Sequence, residues 1–247
     1  LLESQSGSVN GLVSNQRIEG IIDELQAAIV APAGARSVLV VGEAGVGKSA
    51  VIQLLGQRLA GEGYRVFRSS ASEVIAGQSY FGELEQRIQR LIQQLRGKRI
   101  VWVIDSFQEL ATIGRHKYSK TSVLDMILPH IASGEIKVIG ETRPAALELL
   151  NLSYPRLSGQ IEAFRIEPAD EAQTLELASR WLERRQAGGN FNLSASPEVL
   201  REAWQLVTQY VTGSSAPGLL LEYLELTCAR MEESADRALR LDDFLTT

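Results

Sequence analysis

Cysteine is almost absent from this chain. Cys228 stands alone in an apolar helical stretch, which excludes an intrachain disulfide framework and marks the thiol as a small buried hydrophobe. Histidine is nearly as scarce. His116 and His130 are isolated from other ligand-type side chains, so neither is expected to hold a metal. No apolar run approaches the roughly 20 residues that a membrane span requires. The opening Leu1-Leu2-Glu3-Ser4 lacks the basic-then-apolar order of a signal peptide, so the expected location is the cytoplasm and no membrane partner is expected. Dense Lys/Arg blocks are missing too. With a net charge of -5, nucleic acid is not the expected main partner, because neutralising phosphates takes clustered cations. The start at Leu1 rather than Met points to a piece of something longer.

What is present is an ordinary globular composition, 45% hydrophobic and 22% charged over 247 residues, enough for one large domain or two small ones. Its most informative stretch is Gly42-Glu43-Ala44-Gly45-Val46-Gly47-Lys48-Ser49, directly behind the apolar run Ser37 to Val41. This fits G-x-x-x-x-G-K-[ST]. A phosphate chain needs a turn tight enough for backbone N–H groups to converge on its oxygens, and the three glycines remove the Cβ atoms that would block it. Lys48 meets the outer phosphates and Ser49 offers a hydroxyl to a magnesium ion. The helix that follows turns its positive end to the anion. The expected ligands are therefore ATP and Mg2+.

The first dozen residues, rich in Ser, Gly and Asn, are expected to be poorly ordered. Ile18, Ile21, Ile22, Leu25 and Ile29 form one helical stripe that ends before Ala31-Pro32. Strands are expected at 37–41, 65–70, 99–105, 137–142 and 161–166, with a helical turn at 71–75. Amphipathic helices are expected around Leu84 to Leu95 and Val123 to Ile131, and another from Pro144, which starts a helix comfortably. A weakly patterned loop runs from Asp105 to His116. After Pro168 the strand signal stops and three helical stretches remain, about 171–186, 197–210 and 218–234. The fold class is α/β: a five-stranded parallel sheet with helices on both faces, followed by a small all-α domain. The expected boundaries are 1–12 disordered, 13–168 nucleotide-binding and 169–247 helical.

A nucleotide site of this kind needs a carboxylate at the end of a neighbouring strand to hold the metal, and Asp105 meets that need. Hydrolysis also needs a group that orients or deprotonates the attacking water, worth about 10²- to 10⁴-fold in rate. The residue after Asp105 is Ser106, which cannot take a proton at neutral pH. Glu109, about one helical turn beyond Asp105, and Glu141, beside the strand end at Thr142, are the candidates to substitute.

The order of the glycine turn, Gly77-Gln78-Ser79-Tyr80-Phe81-Gly82 before its helix, Ile100 to Ser106, and Gly134 to Arg143 resembles the first ATPase module of the Clp-type AAA+ unfoldases and disaggregases. The resemblance runs from about Val13 to the C-terminus. It implies the P-loop AAA+ fold with a helical lid over adenine, Val13 near the base, and Asp105 as magnesium carboxylate. It further implies Thr142 as sensor of the γ-phosphate and Tyr80 as the aromatic of a substrate-gripping pore loop. The implied partners are a homo- or hetero-oligomeric ring, a hexamer, and a polypeptide substrate.

The departures fall on the transition-state positions. Ser106 replaces the family's catalytic Glu. Leu157-Ser158-Gly159-Gln160-Ile161 stands where those enzymes place arginines reaching into the neighbouring subunit, with Arg156 nearby. Ala216-Pro217-Gly218-Leu219 lacks a basic residue for the phosphate. The positions that hold ground-state nucleotide survive, and binding and catalysis are separable free energies. Two readings follow: a weak ATPase that assembles into a ring and handles polypeptide, or a pseudo-ATPase scaffold or regulatory subunit that binds ATP without efficient hydrolysis.

Overall fold

The computed structural model describes residues 12–31, 36–75, 83–115, 120–187, 194–231 and 238–245. Residues 1–11 of the expected disordered opening, and Tyr80, lie outside them. Helix α1 (Gln16–Val30) places Ile18, Ile22, Leu25 and Ile29 on one buried stripe, and Asn15 caps it by accepting from the Ile18 N–H at 3.1 Å. Strand β1 (Ser37–Val41) is buried at every position and leads into α2 (Lys48–Gly61). Then come β2 (Arg65–Ser70), α3 (Ala71–Ile75), α4 (Glu83–Leu95), β3 (Ile100–Asp105), α5 (Val123–Ala132), β4 (Lys137–Thr142), α6 (Pro144–Ser153) and β5 (Ile161–Arg165).

The stretch after Asp105, expected as a loop, instead contains a 3₁₀ helix, Phe107–Ala111. The reason is local. Phe107 and Leu110 are fully buried, and only a tight turn puts residues three apart on one face.

The chain divides into two compact units. The first comprises, among the described residues, Ile21–Gly42 and Val51–Arg165. Its strands lie parallel in the order β2-β3-β4-β1-β5, so long apolar strands occupy the middle. Alternate side chains of a strand face opposite ways, and both sets are buried in β1 and β3. On one face, Leu39, Val41, Trp102, Ile104 and Val138 pack with Ile88, Ile92, Leu124, Ile127 and Leu147 of α4, α5 and α6. On the other, Lys137 donates to the Ile29 carbonyl of α1 at 2.8 Å, and Gly56 of α2 lies against Val66. Trp102, wholly buried, keeps its indole N–H satisfied by donating to Ser69 Oγ at 2.8 Å.

The second unit contains, among the described residues, 12–20, Glu43–Ala50 and the chain from Ile166 onward. Its helices are α7 (Glu171–Ala187), α8 (Pro197–Tyr210), α9 (Gly218–Met231) and the short α10 (Leu241–Leu245). Trp181, Leu200, Val207, Leu220, Leu224, Cys228 and Phe244 form its core. Ser196 caps α8 and Pro197 occupies its first turn. Helix α10 was not expected; five residues with one buried aromatic leave too short a period to read. Among the described residues no helix is long and apolar enough to cross a membrane.

Candidate nucleotide-binding site

Of the glycine turn, Gly42 ends a segment of the first unit and residues 43–49 belong to the second. Gly45 and Gly47 have φ of +85° and +95°, the left-handed region that costs an L side chain about 1–2 kcal/mol. Such reversals aim successive N–H groups to one side, making an anion-binding concavity. Val46 is buried and anchors the turn. Lys48, only 7% exposed, opens α2 and bends back so that Nζ donates to the Glu43 carbonyl at 2.8 Å. Glu43 and Ser49 are exposed.

Against this turn lies the stretch Ser214 to Gly218. The Ser215 N–H donates to the Ala44 carbonyl and the Gly218 N–H to the Gly45 carbonyl, both at 2.8 Å. A Cβ on Gly45 would sit 2.2 Å from Ser214 Oγ and 2.5 Å from the Ser215 carbonyl oxygen; one on Gly218 would sit 2.6 Å from Gly45 Cα. Main chain therefore packs directly on main chain, which accounts for Gly218 in a segment that lacks a basic residue. Ser214 Oγ is buried without a hydrogen-bond partner. Val13 is half-buried against the helical core of the same unit. The strand of chain around it is tied to α7, since Arg180 donates to the Ser14 carbonyl at 2.6 Å and Arg184 to the Leu12 carbonyl.

The carboxylates belong to the first unit. Asp105 ends β3, Glu141 and Thr142 end β4, and Gly42 N–H donates to the Thr142 carbonyl at 3.3 Å. The register pairs Arg68 with Val103 and Ser70 with Asp105. Arg68 and Asp105 thus share a face on adjacent strands, diagonal to each other, a separation a long side chain spans. Arg68 Nε donates to both Asp105 oxygens at 3.0 Å, and its terminal Nη2 lies 2.8 Å from Oδ1. The hydrogen bond with Asp105 raises the Arg68 pKa, partial burial opposes this, and attraction to Asp105 and to Glu141 adds to it. Glu141 falls on the same face as Asp105; Thr142 points to the opposite one and donates to Gln108 Oε1 at 2.8 Å.

Asp105, Glu141 and Arg68 are therefore brought together, whereas Thr142 is turned to Gln108. Glu109 is exposed on the 3₁₀ helix, and Arg156 is exposed before a second one, Leu157–Gly159. Ser106 has φ +50°, the one non-glycine with positive φ among the described residues. His130 pairs with Glu135 at 2.7 Å, and among the described residues no cluster of metal-ligating side chains occurs. Asp105, expected as the magnesium carboxylate, has both oxygens engaged by Arg68 here, so a hard divalent cation would have to displace that guanidinium. Arg68 and Gln108 were missed from sequence. The available signal was a charged residue inside a strand of a parallel sheet, though its partner emerges only with the register.

A parallel sheet of this order, with the glycine turn behind the interior strand β1 and a helical unit after β5, is the P-loop AAA+ fold. Residues 38–151 match the model of the ATPase family associated with various cellular activities (AAA). The chain is 23% identical over 240 residues to chaperone protein ClpB 2 of Parasynechococcus marenigrum (strain WH8102), covering 93% of this chain and 26% of that protein. It is 25% identical over 205 residues to chaperone protein ClpB of Tropheryma whipplei (strain TW08/27), covering 80% of this chain and 29% of that one. Among solved structures, the S. cerevisiae Hsp104:casein complex in its extended conformation superposes with a TM-score of 0.78 at 19% identity, covering 97% of this chain and 42% of that one. The fold is that of AAA+ proteins, and the chain is similar in sequence to part of the Clp-type chaperones. The chain spans about a quarter of the length of these curated relatives.

Proposed function

We propose that the chain binds ATP in the turn Gly42 to Ser49 and hydrolyses it slowly, as one module of a ring, a hexamer, that acts on polypeptide. The observation that carries this reading is the turn itself: two glycines in left-handed backbone, a buried lysine and the start of a 14-residue helix behind an interior parallel strand. In this reading Lys48 neutralises the outer phosphates, Ser49 faces them with its hydroxyl, and Val13 lies toward the base. Thr142 senses the γ-phosphate through Gln108, and Glu141 or Glu109 positions water. Tyr80 touches the polypeptide. Support for polypeptide as substrate comes from the relatives' names as chaperones and from the casein held by the Hsp104 structure. Ser49 and Asp105 hold the magnesium ion in this reading, Asp105 only once it parts from Arg68.

A pseudo-ATPase scaffold or regulatory subunit is the second reading, favoured by that same pairing together with Ser106, which offers no base. Titration calorimetry with ATP tests the common part: Lys48→Ala is expected to weaken binding by about tenfold or more, and equal affinity would refute the site. Phosphate release then separates the two. A gain on Ser106→Glu together with loss of polypeptide handling on Tyr80→Ala marks an engine lacking one part. No gain and no loss marks the scaffold.

A further inference from the structure

A buried hydroxyl costs free energy unless it is hydrogen-bonded, and this chain meets that demand almost everywhere. Ser37, Ser69, Ser122, Thr142, Thr174 and Thr227 are buried, and the hydroxyl of each makes a hydrogen bond. Among the described residues, Ser214 Oγ is the buried hydroxyl left without a partner. Its place is specific. A Cβ on Gly45 of the phosphate turn would lie 2.2 Å from it. The chain just beyond it is fixed to that turn by the hydrogen bonds from Ser215 to Ala44 and from Gly218 to Gly45, both 2.8 Å. Residues 43–50 and 214–218 fall in the same compact unit, so the approach is internal to it.

We propose that Ser214 is a binding residue for the triphosphate, its Oγ–H donating a hydrogen bond to a phosphate oxygen of the bound nucleotide. This rests on the reading of the glycine turn as a nucleotide site. A serine hydroxyl rotates to donate to whichever acceptor reaches it, and the surface beside it is a concavity that collects anions. A phosphate seated there brings to Gly45 oxygens that can only accept. The free protein carries the cost of the unpaired hydroxyl and the ligand relieves it, so binding gains from a bond that folding does not make. Stability and affinity should therefore respond in opposite ways when the hydroxyl is removed.

The test compares the wild type with Ser214→Ala, which removes the hydroxyl and adds no bulk. Calorimetry with ATP and with inorganic triphosphate gives the affinities, and urea unfolding without ligand gives the stability. The variant is expected to bind both ligands about tenfold more weakly, the scale of one hydrogen bond to a charged acceptor. Its unfolding midpoint should equal or exceed that of the wild type. A loss of less than about threefold with ATP overturns the proposal while leaving the nucleotide site standing; a hydroxyl served by water would behave so. A loss seen with ATP and not with triphosphate puts the hydroxyl against the base or sugar and overturns it as well. Weaker binding together with a lower midpoint marks a structural role, which also overturns it. A wild type that binds no ATP removes the nucleotide reading and this proposal with it.

Discussion

Gly45 and Gly218 approach so closely that neither can carry a side chain without moving main chain. Gly218→Ala is therefore expected to destabilise the protein by roughly 1–3 kcal/mol, the usual cost of overpacking, and to weaken ATP binding by shifting the turn. Urea unfolding and calorimetry on the same sample check both, and a variant with wild-type stability would show that the contact is loose. Gly140 is held to glycine by a different neighbour: a Cβ there would lie 2.4 Å from Leu39 Cδ2 and 2.7 Å from Phe107. Gly140→Ala is expected to cost a similar amount, with no direct effect on the turn. At this scale the phosphate loop was legible because its chemistry is contained in eight consecutive residues. Arg68 was not. Its meaning lies in a partner 37 positions away, set by strand register rather than by local spacing. Gln108 was hidden in the same way, since the hydroxyl of Thr142 finds it only once the 3₁₀ helix has formed.

Among the elements, α5 is held at its start by a reciprocal cap. Ser122 Oγ accepts from the Asp125 N–H at 3.1 Å, and the Asp125 carboxylate accepts from the Ser122 N–H at 2.7 Å. Burial raises the Asp125 pKa, but the Ser122 backbone and hydroxyl, the Tyr154 hydroxyl and Arg115 together bring it below its ordinary 3.8. A lowered folded pKa means that the stabilisation is complete above 3.8 and disappears as pH falls through the lower folded value. Asp125→Asn is expected to lose about 1 kcal/mol at pH 7 and to flatten the acid limb of stability, measured by urea unfolding at pH 7 and at pH 3. An unchanged acid limb would refute the cap's role. The helices and strands of the sheet were legible because their apolar periods run long enough to separate 3.6 from 2. The 3₁₀ helix and α10 were not, because five residues give less than two turns of pattern and their form is dictated by the buried Phe107 and Phe244.

For the whole molecule, the parallel sheet and the helical unit are those of an AAA+ module, and the chain spans about a quarter of the relatives' length. Sheet class and strand number were legible in the alternation of strands and helices. The grouping of residues 43–50 with the helical unit was not, since it follows from contacts such as Ser215 to Ala44 that join distant parts of the chain. In the proposed reading the residues that hold ground-state nucleotide are kept, while a serine follows Asp105 and Arg68 pairs with it, so turnover should be slow. The most direct test is to mix radiolabelled ATP with excess protein, in magnesium, and follow the label on the protein through time. Nucleotide that stays bound and remains ATP for minutes, far below the ~10 s⁻¹ typical of enzymes, is the predicted result. Conversion to ADP within seconds, or no label retained at all, would contradict it.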